Sequence, residues 1–307
     1  MTQVLIVIAP LFLIIFTSAL LQRFKNIGEN WSQVLNEFAL KIGLPVLIFS
    51  ALSKAHFSFL EAWPLILVNS IFIVGFFLFA LLLGTGARFS KKTVRTLILC
   101  LMFGNIAYLG IPILSQVYGA TVLPTVSIIV AIYFIWIFTL GTGYLEATHL
   151  DGQKQVVRRT AATLVKNPLL IAVVLGVFVA SFAIPIPSVI AQALDMVSSS
   201  VTPTVLIVIG LFIGKSTVGK VQEWIPVALF SLATLMIAPA AFYFGTMFFG
   251  LSPHKFSTSI IEAAMPLAIT PFALADTFDL DKEFISRSIV LSTVLSVFSL
   301  PFWISIL

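Results

Sequence analysis

Two short stretches of this chain carry the residue types from which an anion site can be built inside a membrane. The first reads Gly104-Asn-Ile-Ala-Tyr-Leu-Gly110-Ile-Pro112. Its proline lacks an amide and crowds the preceding turn, while its two glycines loosen the same backbone. The second reads Glu262-Ala-Ala-Met-Pro266, with Pro271 five residues further on. A helix interrupted at such a place leaves amides without partners at a positive dipole end, which suits a carboxylate or a similar anion. Gly104, Asn105, Tyr108, Gly110, Ile111, Pro112, Met265 and Pro266 are therefore the candidate substrate contacts. Prolines that merely kink packed helices are the plainer reading of each stretch alone.

Ionisable residues inside apolar runs are the next candidates, because an unpaired charge in hydrocarbon is costly. Lys41 lies ~14 Å into its run, Asp195 ~10 Å and Glu262 ~9 Å, at 1.5 Å per residue. Lys41 is placed to hold a substrate carboxylate, although Glu37, one turn before it, makes a structural pair equally natural. Asp195 and Glu262 are candidates for a coupling proton or sodium ion, against the alternative that both line an outer vestibule. Ser198 to Ser200 and Thr202, just before Pro203, offer further oxygens, so Ser199 and Thr202 join the coupling set; small hydroxyl residues also serve close helix packing.

Other chemistry is not indicated. His56, His149 and His254 have no metal-ligand spacing, and the single cysteine, Cys100, lies in an apolar run, so no metal site and no cofactor is expected. Gly210-Leu-Phe-Ile-Gly214-Lys215-Ser216 is one residue short of a phosphate-binding loop and ends an apolar span. Its glycine pair reads as close helix packing. Asp276, Asp279 and Asp281 stand beside Lys282 and Arg287 without a second aspartate cluster, which reads as a solvated turn rather than a metal site.

The elements that must position these residues are membrane spans. The chain is 60% hydrophobic and 9% charged, against about 25% charged residues in a soluble domain. Apolar runs of helical length fall at 3–21, 32–53, 63–86, 96–117, 121–143, 168–184, 188–213, 224–249, 257–275 and 285–306. The expected fold is an all-α integral membrane protein of ten transmembrane helices. The first run lacks the flanks of a cleaved signal peptide and is expected to remain as a span. Net charge is +5, but the basic residues cluster between spans, which speaks for membrane topology and against nucleic acid. One side of the ten-span arrangement receives Arg23, Lys25, Arg88, Lys91, Lys92, Arg95, Lys154, Arg158, Arg159, Lys166, Lys215, Lys220, Lys282 and Arg287; the other receives Lys54 and Lys255. Retention of Lys and Arg inside puts both termini on the non-cytoplasmic side of the cell membrane and discounts the sequon at Asn30.

The halves 1–150 and 151–307 also match each other in order. Pro10-Leu11 falls on Pro168-Leu169, Pro45 near Pro203, Glu61 to Pro64 on Glu223 to Pro226, and Asn105-Ile106 on Met265-Pro266. Five spans per unit is odd, so the two repeats must be inverted. Asn105 lies ~15 Å from Arg95 and Pro266 ~15 Å from Phe256, near the middle of a ~30 Å core. That shared depth brings the interrupted fourth and ninth spans to one level and favours a functional reading of both.

At these residues the sequence resembles the auxin efflux carrier family, whose bacterial members resemble permeases for malonate, malate and related organic anions. Gly104-Asn105 to Gly110-Ile-Pro112, and Glu262 to Pro266 with Leu274-Ala275 and Leu280-Asp281, carry the resemblance. It implies a scaffold domain, a transport domain with crossed fourth and ninth helices, elevator-type movement, and substrate contact by Asn105 and the broken segments at Pro112 and Pro266. Ala107 stands at a frequent glycine, Asp279 at another, and Glu37 at an often basic position, so substrate and coupling ion are left open. The expected function is secondary transport of a small organic anion, either a dicarboxylate or an auxin-like acid. A sodium-coupled bile-acid-type symporter is the alternative, ahead of an intramembrane enzyme or a receptor. Expected partners are the anion, the lipid bilayer and a second copy in a homodimer.

Overall fold

The computed structural model describes residues 1–25, 27–55, 59–149, 153–216 and 220–307; His56 lies outside them. The described residues are helical, with no β-structure beyond one isolated bridge. The chain opens with α1 (Thr2–Lys25), then α2 (Glu29–Phe38) and α3 (Leu44–Ser53), which a π-helical turn at Ala39–Gly43 joins into one rod. α4 (Phe59–Gly86) follows, then α5 (Lys91–Met102), a π-turn at Ile106–Gly110 and α6 (Ile111–Tyr118). Another π-turn, Ile137–Gly141, links α7 (Leu123–Trp136) to α8 (Thr142–His149). The second half holds α9 (Gln153–Lys166), α10 (Pro168–Ser181), α11 (Ser188–Lys215), α12 (Trp224–Leu232) and α13 (Ala238–Phe248), the last two joined through Ala233–Ile237. It closes with α14 (Ser257–Ala263), α15 (Thr270–Phe278) and α16 (Lys282–Ile306).

By length and apolarity, seven stretches among the described residues are able to cross a membrane: Thr2–Phe24, Asn30–Ser53, Ala62–Gly86, Ala120–Thr148, Ser188–Lys215, Trp224–Phe248 and Lys282–Ile306. Arg158–Lys166 and Pro168–Ser181, bent by 59° about Asn167, count as an eighth when taken together. The Asn167 side chain caps the second of these, accepting from the amides of Leu169 and Leu170. The two remaining apolar runs, 96–117 and 257–275, are interrupted helices.

Prolines explain most of the π-turns. Pro45, Pro112 and Pro239 each follow a π-turn within two residues. A proline has no amide to donate and its ring presses on the carbonyl four residues back, so widening the preceding turn removes the clash without ending the helix. Widening also frees carbonyls for other donors. In the turn before Pro239, Leu235 O accepts from the Trp303 indole at 2.9 Å, fastening α16 to the α12–α13 rod.

Packing separates the helices into two groups. α1, α2, α3, α10 and α11 pack chiefly on one another, whereas α4, α5, α7 and α12 to α16 form the other set of neighbours. Within the first group, Gly210 and Gly214 lie directly on the α1 backbone, where a Cβ would overlap Ile15 O and Ala19 O. This is the close approach that their four-residue spacing predicts. In the second group, the rings of Phe72 of α4 and Phe242 of α13 meet at a tilt of 50°, their centroids 4.6 Å apart.

Candidate functional site

The two interrupted runs meet at their breaks. α5, capped by Ser90, ends at Met102, and Phe103 (φ −98°, ψ 70°) and Asn105 (φ −78°, ψ 49°) leave helical geometry. The second break spans 264–269, between α14 and α15, and contains Pro266. Asn105 N donates to Pro266 O at 2.7 Å and Ala268 N to Phe103 O at 3.0 Å. Gly104 and Leu267 form an antiparallel bridge between these bonds. Irregular backbone at this depth survives only where protein groups satisfy it, and here each broken segment supplies partners for the other. Ser292 of α16 supplies one more, accepting from Leu267 N at 3.1 Å while donating to Ser288 O.

One expectation needs correcting in detail. The interruption of the fourth run lies at Phe103–Asn105, and Pro112 sits inside continuous helical backbone because the π-turn before it absorbs the ring. Pro271 likewise starts α15, a position where its missing amide costs nothing.

A cavity of about 110 Å³ lies against the beginnings of both second half-helices. Its wall includes Asn105, Ile106, Ala107 and Tyr108 from one, and Ala268, Ile269 and Thr270 from the other. The first amides of a helix have no intrahelical acceptor, so two positive dipole ends converge on this space. Asn105 is 4% exposed, and its side-chain Nδ2 has no partner among the described residues. The Tyr108 hydroxyl donates to Asn36 Oδ1 of α2 at 2.7 Å, and both residues line the same cavity. Gly104 borders this cavity and also a second, smaller one of about 30 Å³ on the far side of the crossing. Glu262, Met265 and Tyr133 line that second space.

Glu262 is 1% exposed, and neither carboxyl oxygen has a hydrogen-bond partner among the described residues. The Tyr133 hydroxyl is also unpartnered. Gly110 leaves room for the Glu262 carboxyl: a methyl group at that position would overlap it and force it to move. One turn earlier on α14, Ser259 accepts from Asn69 Nδ2 of α4 at 2.9 Å, with both residues fully buried.

Gly104, Asn105, Tyr108, Gly110, Met265, Pro266 and Glu262 are thus gathered at the crossing, with Ile111 and Pro112 buried in the helix that leaves it. The remaining candidates are not. Lys41 is paired with Glu37 at 2.8 Å and is largely exposed, although Asn36 and Leu40 of the same rod line the 110 Å³ cavity. Asp195 is held by Lys54 at 2.6 Å and Ser50 at 3.1 Å, tying α11 to α3. Ser199 is exposed and donates to Met196 O, and Thr202 lines none of these cavities. The sequence reading did not pick out Tyr133, Asn69, Ser259 or Ser292. A usable sign existed for the last: Ser288, Ser292 and Ser296 recur at one face of an apolar helix and are all fully buried.

A space of about 480 Å³ opens beside the crossing between α11, α15 and α16. It shares Ile269 with the 110 Å³ cavity, and Lys215, Lys282 and Arg287 line it. Nearby, the three aspartates read as a solvated turn act as fasteners. Asp279, in left-handed backbone (φ 48°), receives Arg95 at 3.1 Å and Lys92 at 3.4 Å; Asp276 pairs with Lys282; Asp281 caps α16. Arg95 and Asp279 therefore bolt the start of one broken helix to the end of the other.

Comparison with known proteins matches the chain to transporters. The profile of a family described as membrane transport protein matches residues 3–304. An uncharacterized transporter from Methanothermobacter thermautotrophicus is 27% identical over 291 residues, covering 90% of this chain and 89% of its own. One from Methanocaldococcus jannaschii is 25% identical over 289 residues, 91% of each. A putative malonate transporter from Rhizobium meliloti is 24% identical over 307 residues, 97% of this chain and 93% of its own.

Proposed function

The chain belongs to the membrane transport protein family, and from that premise we propose that it is a secondary carrier of a small organic anion, working by alternating access without nucleotide hydrolysis. The observation that carries this reading is the cavity of about 110 Å³ between the starts of two half-helices, with an unpartnered Asn105 amide in its wall. Converging helix N-termini and a spare N–H favour a carboxylate. The volume favours a substrate of few heavy atoms, since sites for drug-sized molecules run to ~300–1,000 Å³. A short dicarboxylate such as malonate, which the name of the Rhizobium meliloti relative mentions, fits these demands better than a bile acid.

In this reading the interrupted runs are the fourth and ninth of ten spans, 1–150 and 151–307 are inverted repeats, and both termini lie outside the cytoplasm. The group built on α1, α2, α3, α10 and α11 is the scaffold, and the group holding the crossing is the moving body of an elevator. The space of about 480 Å³ lined by Lys215, Lys282 and Arg287 is then the cytoplasmic vestibule, although Lys282 is paired with Asp276, Arg287 with Glu223, and Glu283 shares the wall. Gly104, Tyr108, Met265 and Pro266 shape the site. Of the four coupling candidates, Glu262 is the one at the crossing. Asp195, with its lysine partner, serves the scaffold, as do Ser199 and Thr202, while Lys41 guides anions near the inner face.

Uptake into proteoliposomes over a panel of dicarboxylates and indole acids tests the reading. Asn105→Ala is expected to lower uptake at sub-saturating substrate ~10-fold or more, the loss of a hydrogen bond to a charged group. A variant that transports every accepted substrate at the wild-type rate would sink the site assignment.

A further inference from the structure

Glu262 presents a problem that substrate binding does not solve. Its carboxyl is buried, both oxygens lack donors, and it faces away from the anion cavity across the Gly104 backbone. A bare carboxylate in such a place is strongly disfavoured unless a positive charge comes with it. That charge can be a metal ion or a proton, and the surroundings discriminate. The space beside Glu262 is about 30 Å³, enough for about one water molecule. Among the described residues the other side-chain oxygens on its wall are the hydroxyls of Tyr133 and Thr234, and Thr234 already donates to Phe230 O. A hard cation gathers about six oxygens.

The titratable groups facing Glu262 are Tyr133 from α7 and Cys100 from α5. α4 contributes Phe72, Ile73 and Phe76, and the α12–α13 rod contributes Thr234 and Ala238. α6 brings only Gly110 from the turn before it, and the charged residues of α16 that line a cavity, Lys282, Glu283 and Arg287, belong to the other, larger space. No second charge lines the wall among the described residues.

We propose that Glu262 is the proton-carrying group of the carrier, so that one proton crosses with the substrate anion. The proton bonds to one Glu262 oxygen on the side of entry, leaving a neutral carboxyl while the crossing is closed, and returns to water on the side of exit. Gly110 supplies the link to substrate, because it seats the carboxyl against the same π-turn whose first residues wall the anion cavity. This inference rests on the carrier reading above.

The test uses the full chain in proteoliposomes with radiolabelled malonate and the rest of the dicarboxylate panel, imposing proton and sodium gradients separately. Wild type should accumulate substrate on a proton gradient alone. Glu262→Gln, which mimics the neutral acid, should lose that accumulation at least tenfold while keeping substrate counterflow within about threefold of wild type. Accumulation by Glu262→Gln on a proton gradient, or by wild type on a sodium gradient, overturns the proposal. So does wild-type counterflow that ignores pH, which leaves the carrier reading intact. Infrared difference spectra of the detergent-solubilised protein give a readout independent of transport: a carboxylic-acid C=O band should vanish in Glu262→Gln. If no panel member moves at all, the carrier reading fails and the band alone decides whether Glu262 holds a proton; a band unchanged by the substitution refutes it.

Discussion

Asp279 shows how a single residue can be strained and stabilising at once. Its left-handed backbone is disfavoured by ~1–2 kcal/mol for most side chains and less for aspartate, and its carboxylate receives Arg95, whose side chain is 8% exposed, and Lys92. Asp279→Gly relaxes the backbone but removes the partner of a buried guanidinium; Asp279→Ala does the second without the first. Both are expected to melt below wild type in detergent, with the alanine variant lower by ~1 kcal/mol. Equal melting points would show that the strain is not there. The sequence exposed part of this residue-scale picture. Asn105 and Glu262 were readable because polar side chains in apolar runs need a reason. Tyr133, Asn69 and Ser259 were not, since their importance comes from neighbours that are distant along the chain. Lys41 and Asp195 were less legible, since depth in a span says nothing about which face a side chain takes; each is held by a partner of its own, Lys41 by the Glu37 that its spacing already offered.

At the scale of elements, the π-turn at Ile106–Gly110 sets where Asn105 points relative to the rest of the broken helix. Pro112 accounts for it, because the wide turn relieves the clash of its ring with the preceding turn. Pro112→Ala restores the missing amide and removes the reason for the wide turn. We expect the melting temperature to hold or rise, because proline inside a helix costs ~3 kcal/mol relative to alanine. Transport should fall several-fold as the turn tightens and rotates Asn105. A variant with unchanged uptake would show that the wide turn does not position the site. Long apolar runs and the Gly210–Gly214 spacing made the continuous helices legible, because burial and close packing leave periodic traces. The break at Phe103–Asn105 was legible only as lying within Gly104 to Pro112. Its stability comes from bonds to Pro266 and Ala268, some 160 positions away, so no local pattern fixes which of those residues leave the helix.

For the whole molecule, the arrangement of charges predicts sidedness. With Cys100 replaced by serine, single cysteines at Lys255 and at Lys220 should react with a membrane-impermeant maleimide from opposite faces of intact cells, Lys255 from outside. Labelling of both from one face would overturn the ten-span arrangement and, with it, the inverted repeat. The two packing groups differ in what they bury: one sets glycines against backbone and carries the exposed pairs Lys41–Glu37 and Lys54–Asp195, while the other buries Asn69, Glu262 and the serines of α16.

The bridge at Gly104 and Leu267 is made of main-chain atoms alone. Because no side chain takes part in those two bonds, amino-acid replacements around them can resculpt what is recognised while the clasp itself persists. Selectivity can therefore diverge among descendants of such a chain without each new preference having to reinvent the joint on which turnover depends.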